Sequence, residues 1–191
     1  MILDQKTRLV DSESHPRTGE APGRRRFWGG ALWVLQVLLG FFFAGSGFGK
    51  VLMYDPSLYA SAPEAVAWYA VVPQGLIVFI GMCEVLGGIG LILPAMTRVR
   101  PQLTPIAAAG LALTMALAAV FHVLRLEFWL VPANVVLGGI AAVIAVGRWK
   151  FRPVTAGPVT GSGIVKSVAV LVVLALVAFA PTWYMMTRIE F

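Results

Sequence analysis

The sequence predicts an all-α, polytopic membrane protein, and three observations carry that prediction. Of 191 residues, 59% are hydrophobic and only 13% charged, whereas a soluble domain carries about 25% charged residues. Five apolar runs reach or approach the roughly 20 residues of helix needed to cross a bilayer core. Charge is also crowded at the start, where Met1 to Trp28 holds ten of the Asp, Glu, Lys and Arg side chains. The rest of the chain is therefore built for lipid.

Met1 to Arg26 is polar, contains Pro and Gly, and lacks an apolar period; it reads as a stretch without structure of its own, within a basic cytoplasmic tail of residues 1–28. Spans are expected at Gly29 to Val51, Gln74 to Met96, Gln102 to Leu124, Leu130 to Gly147 and Ile164 to Met186. The fourth is the shortest, and Pro132 suits its first turn, where a missing N–H does no harm. This divides the chain into a tail (1–28), a four-helix membrane bundle (29–148), a cytoplasmic loop (149–163) and an additional transmembrane helix with a short outer tail (164–191). In the first outer link, Ser61-Ala62-Pro63-Glu64 has the spacing of a capping box and predicts a short helix from Ala62 to Tyr69. Its Trp68 and Tyr69 would anchor it at headgroup level, or cap a cavity opening outward.

Orientation follows from the basic residues. With the amino terminus cytoplasmic, the inside face holds Lys6, Arg8, Arg17, Arg24, Arg25, Arg26, Arg98, Arg100, Arg148, Lys150, Arg152 and Lys166, against Lys50, Arg125 and Arg188 outside. That asymmetry is a positive-inside assignment, and five spans then put the carboxyl terminus outside. Arg24-Arg25-Arg26-Phe27 also has the look of a twin-arginine export signal, but the apolar run behind it is too long for a cleaved one. A net charge of +6 here concerns membrane sidedness, so no nucleic-acid partner is expected. Cys83 stands alone, which excludes an internal disulfide, a Cys-x-x-Cys pair and a Cys-rich metal site.

Helices in lipid associate through small residues and a few hydrogen bonds. At steps of three or four, the first span gives Gln36, Gly40, Ala44, Gly47 and Lys50, and the second gives Gly81, Glu84 and Gly88. The third gives Gly110, Thr114, Ala118 and His122, and the fourth Asn134, Gly138, Ala142 and Ala145. Each stripe carries a polar residue, so Lys50, Glu84, His122 and Asn134 are expected to face a common interior that opens outward. Glu84 falls near the bilayer midplane, where an ionisable group is a functional candidate by default. Plainer roles stand beside these: Glu84 as a protonated interhelical bonder, Lys50 snorkelling to the interface, His122 as an interfacial cap, Asn134 as a packing bond, Arg125 and Glu127 as a solvated rim. Gly45 and Gly49 form a Gly-x-x-x-Gly that favours a close helix contact, and no metal site is expected.

Phe43-Ala44-Gly45-Ser46-Gly47-Phe48-Gly49-Lys50-Val51-Leu52 resembles the first-helix signature of DoxX-like membrane proteins. Glu84-Val85-Leu86-Gly87-Gly88-Ile89-Gly90-Leu91-Ile92-Leu93-Pro94 is similar to their second helix, Ala107 to His122 to the third, and Pro132-Ala133-Asn134 through Gly147-Arg148 to the fourth. The resemblance implies a compact four-helix bundle, from which the tail and fifth helix depart and could serve a partner. Family relatives include a subunit of thiosulfate:quinone oxidoreductase, a membrane partner of superoxide dismutase and a thiosulfate sulfurtransferase, and, more distantly, a receptor-assembly chaperone. Fold likeness does not fix a reaction.

Three readings follow. The first is a membrane subunit of a redox or oxidative-stress assembly with no intrinsic cofactor, holding a small ligand such as a quinone. Glu84 would then accept a proton, His122 donate to a quinone carbonyl, Lys50 stabilise negative charge and Asn134 orient them, with electrons supplied by a partner. The second is a non-enzymatic accessory or assembly subunit that uses the fifth helix and the outer loop to contact other membrane proteins. The third is a small proton-coupled transporter with Glu84 as carrier.

Overall fold

The structure, a computed structural model, describes residues 22–52, 64–158 and 160–186. Five α-helices run in order: α1 Pro22–Leu52, α2 Gln74–Thr97, α3 Leu103–Leu124, α4 Val131–Val146 and α5 Gly161–Met186. A 3-10 helix, Glu64–Val71, precedes α2, and a π turn, Gly147–Phe151, continues α4. Phe27–Leu52, Gln74–Thr97, Leu103–Leu124 and Val131–Phe151 are each long and apolar enough to cross a membrane. The protein is thus an all-α polytopic membrane protein, with no strand among the described residues.

The chain divides into two units, Met1–Gly30 and Ala31–Phe191. In the first, α1 already begins at Pro22, inside the stretch expected to be an unstructured tail, and the rings of Phe27 and Trp28 meet edge to face at 5.9 Å. Residues 1–21 lie outside the described residues, as do Ser61, Ala62 and Pro63 of the expected capping box.

In the second unit, α1 and α2 run antiparallel, as do α2 and α3, since their contacts pair in opposite order along the chain. On α1 and α2, Gly40 lies against Gly88 and Ile92, and Gly47 against Gly81 and Glu84. Gly87 of α2 takes Leu111 of α3, Gly138 of α4 takes Met115 of α3, and Gly147 takes Leu32. The core draws on all four helices: Leu39 and Phe43, Leu91 and Ile92, Ala108, Leu111 and Met115, then Ala141 and Ile144. Helix α5 touches α2, and its Val170 packs against this core.

Two of the expected stripes are rotated. Helix α3 buries Thr104, Ala108, Leu111, Met115 and His122, while Gly110 is exposed and half-buried Thr114 returns its hydroxyl to the Gly110 carbonyl at 3.0 Å. On α4, Ala141 and Ile144 are buried and Ala142 is exposed. On α3 the reason is complementarity at one level: Gly87 of α2 leaves a hollow filled by Leu111, while Gly90 takes the small Ala107. A Cβ on Gly45 or Gly49 would meet nothing within 4 Å among the described residues, so the Gly-x-x-x-Gly makes no close contact with them.

Candidate functional site

Gly47 and Gly81 set the geometry around Glu84. A Cβ on Gly47 would meet the Gly81 carbonyl, with Glu84 Cβ and Val85 N both at 2.8 Å; a Cβ on Gly81 would sit 2.7 Å from Lys50 Cβ. No side chain fits in that crossing. A helical side chain leans toward the amino end of its own helix, so Lys50, two residues before the end of α1, is directed back into the bundle. Its Nζ donates to Glu84 Oε2 at 2.7 Å and to Ser46 Oγ, one turn earlier, at 2.6 Å. Both side chains are at least nine-tenths buried. Lys50 therefore does not snorkel: the crossing brings an opposite charge within reach, and burial makes that pairing the lower-energy choice.

His122 finds a different partner. Leu126 adopts φ 62°, a left-handed conformation that usually goes to glycine. The Leu126 N–H then donates to the Val123 carbonyl at 3.0 Å and the Glu127 N–H to the His122 carbonyl at 2.9 Å, the two bonds of a Schellman motif. This reversal carries the Glu127 carboxylate back over the helix end. Glu127 Oε2 lies 2.7 Å from His122 Nδ1, and Oε1 accepts from Arg125 Nε at 2.8 Å. Burial alone would raise the Glu127 carboxyl, but the hydrogen bonds from His122 and Arg125, with the charge of Arg125, hold it below its usual range. Trp68 of the 3-10 helix, half-buried, places its ring edge-on 6.1 Å from His122 and equally far from Phe121. The described part of the α1–α2 link thus covers the histidine, and it does so as a 3-10 helix over Glu64–Val71.

A third polar set lies at the opposite end. Gln36 donates to the Leu91 carbonyl at 2.8 Å, and its own side-chain oxygen accepts from Arg148 Nε. The guanidinium lies over Trp33 at 5.2 Å and reaches the Arg152 carbonyl through Nη1 at 3.4 Å, while Nη2 is buried without a hydrogen-bond partner. Counted in the sequence as an orienting charge, Arg148 is in fact 6% exposed.

The four expected site residues are therefore not one hydrogen-bonded cluster. Lys50 and Glu84 pair; His122 pairs with Glu127; Asn134, half-buried, gives its amide to the Leu130 carbonyl of its own helix at 3.0 Å. Taking the Gly87–Leu111 contact as a common level, His122 stands eleven residues along α3 and Glu84 three residues along α2 in the same direction. At about 1.5 Å per residue they are separated by roughly 12 Å along the bundle. No hydrogen bond or ion pair joins His122 or Asn134 to Lys50 or Glu84 among the described residues. Nor does any group of three or more His, Cys, Asp or Glu there suit a metal.

Reading from sequence placed Glu127 in a solvated rim and overlooked Arg148. Only the second left a usable trace: Ala141, Ile144 and Arg148 follow the helical step on one face of α4 and its π-turn continuation. Glu127 arrives through a chain reversal at a leucine, where no glycine marks the turn.

No curated protein and no solved structure matches the chain. The model of the DoxX-like family matches residues 34–145, a stretch that begins two residues before Gln36, ends three before Arg148, and contains Lys50, Glu84, His122 and Glu127. That is more than half of the chain, and the protein belongs to the DoxX-like family.

Proposed function

We propose that the protein is the membrane subunit of a redox or oxidative-stress assembly in a bacterial inner membrane, and that it holds a quinone-type ligand beside His122. The observation that carries this reading is the Glu127–His122 bond under Trp68. A carboxylate accepts, so His122 Nδ1 carries the hydrogen, and Nε2 is left with a lone pair in the neutral ring. Such a ring takes a proton from a bound hydroxyl and, once charged, donates to a carbonyl. Glu127 keeps it oriented and stabilises the charged form, a pairing familiar from acid–base sites. The residues fit a ligand that presents a carbonyl or hydroxyl against an aromatic wall. A quinone would supply electron uptake coupled to proton uptake when bound, the electrons coming from a partner subunit.

In this scheme Lys50 and Glu84 have a supporting role. They satisfy each other and hold α1 against α2 below the site. The same saturation favours a second reading, that of a non-enzymatic accessory subunit. In that case the ion pair and the Gln36–Arg148 bond lock the helices, and the protein acts through its surface.

The two readings separate in one experiment. The full chain is reconstituted in vesicles and titrated with a short-chain quinone while tryptophan emission is followed. Saturable quenching is expected, with affinity about tenfold weaker in His122→Gln, the scale of one lost charge-assisted hydrogen bond. An unchanged titration in that variant, with partner proteins still co-purifying, overturns the ligand reading and leaves the accessory one.

A further inference from the structure

We infer that the Arg148 end of the bundle is a binding site for an anionic phospholipid, with an acyl chain in the groove between α3 and α4 and the phosphate on Lys150. A groove of about 280 Å³ runs there between Ile106 and Ala109 of α3 and Ala145 and Val146 of α4, and Trp149 and Lys150 of the π turn close it. Pockets for whole small molecules start at about 300 Å³. This one suits part of a chain, and in a membrane protein its walls meet lipid. The amphipathic ring of Trp149, 62% exposed, sits where an interfacial aromatic belongs.

Charge decides which lipid. Arg98, Arg100, Lys150 and Lys166 are exposed at this end, and Arg148 is buried two residues before Lys150. Among the described residues, the contacts of the Arg148 guanidinium are neutral: the Gln36 oxygen, the Arg152 carbonyl and the Trp33 ring. No Asp or Glu lies between Glu84 and this end of α2, nor on α4, its π turn or the described part of α5. A buried cation without a counter-charge among the described residues is costly, and a phosphate on Lys150, two residues further along the π turn, brings negative charge to the same end of the bundle. Basic pockets between membrane helices recognise anionic headgroups on this principle. The inference rests on the opposite end from His122 and stands whether or not a quinone binds.

The test uses the purified full chain in a mild detergent, with phosphatidylglycerol, phosphatidylcholine of the same chains, and inorganic phosphate as separate probes. Retention of each lipid is read by native mass spectrometry and the melting midpoint in parallel. Phosphatidylglycerol is expected to be retained and to raise the midpoint, whereas the other two probes do neither. Lys150→Gln is expected to weaken retention about fivefold, the equivalent of one basic contact to anionic lipid. Ala109→Phe, at an exposed position that fills the groove without entering the core, is expected to weaken it as well, with helix content unchanged by circular dichroism. Equal retention of phosphatidylcholine overturns the headgroup assignment, an equal midpoint shift with free phosphate overturns the lipid, and undiminished retention in both variants overturns the site.

Discussion

Glu84 and Glu127 each hold a basic side chain at 2.7 Å, yet the two pairs do different physical work. Glu84 is sealed with Lys50 beneath two glycines, both side chains at least nine-tenths buried. Glu127 sits at a helix end with a fifth of its side chain exposed, shared between a histidine and an exposed arginine. Distance is the same and the two bases are equally buried; the acids differ, Glu127 being the more exposed. A pair sealed on both sides registers helices, whereas a carboxylate left partly exposed beside a histidine is open to a ligand. That contrast is why the ligand reading is placed on His122 and Glu127 rather than on the deeper acid.

The largest test of the contrast removes one member of the sealed pair. Glu84→Leu leaves Lys50 buried and uncompensated, and is expected to cost about 3–5 kcal/mol. The double variant Lys50→Met, Glu84→Leu removes both charges and is expected to restore stability to near the parent level or above it. Thermal unfolding in detergent measures both; if the single change costs no more than Glu127→Gln, the two pairs are not different in kind.

A middle-sized effect concerns the crossing. Gly81→Ala drives a methyl into Lys50 Cβ and the Gly47 carbonyl, the latter 2.8 Å away, so α1 and α2 must separate. A cost of about 1–3 kcal/mol is expected, as for other overpacked sites. Gly45→Ala and Gly49→Ala meet nothing within 4 Å and are expected to be neutral or to gain up to about 1 kcal/mol through helix propensity. Equal losses at all three positions, again by unfolding, would show that the crossing is not what holds the pair.

The smallest effect is a pH dependence from the half-open pair. The folded Glu127 carboxyl lies below its usual range, so its ionised form is favoured by folding. The stability it contributes is complete above the ordinary carboxylate range and is lost as pH falls through the lowered folded value. Solvent screening keeps this modest. Comparing the acid limb of the unfolding midpoint in the parent and in Glu127→Gln checks the sign: the parent loses more on acidification, and an identical slope removes Glu127 from the account.

Much of the architecture was legible because bilayer thickness dictates helix length. The second span was expected at residues 74–96 and is Gln74–Thr97; the third was expected at 102–124 and is Leu103–Leu124. Faces were legible on α1, where Gln36, Gly40, Ala44, Gly47 and Lys50 are all buried. They failed on α3, because small residues mark a contact only when the opposing helix is known, and Gly87 calls for Leu111. The site was half legible for a related reason. Periodicity puts Lys50 and Glu84 on inward faces, but says nothing of Glu127, whose approach to His122 depends on one left-handed leucine.

The sealed pair also bears on how the chain enters the membrane. An acid near a helix centre, as Glu84 is, is disfavoured by roughly 3 kcal/mol when it enters alone. Joined across the glycine crossing, α1 and α2 present lipid with a hairpin of zero net charge in its interior. Insertion is then easiest when the first helix waits for the second, so this segment is best suited to integrate as a two-helix unit and to reject stepwise threading.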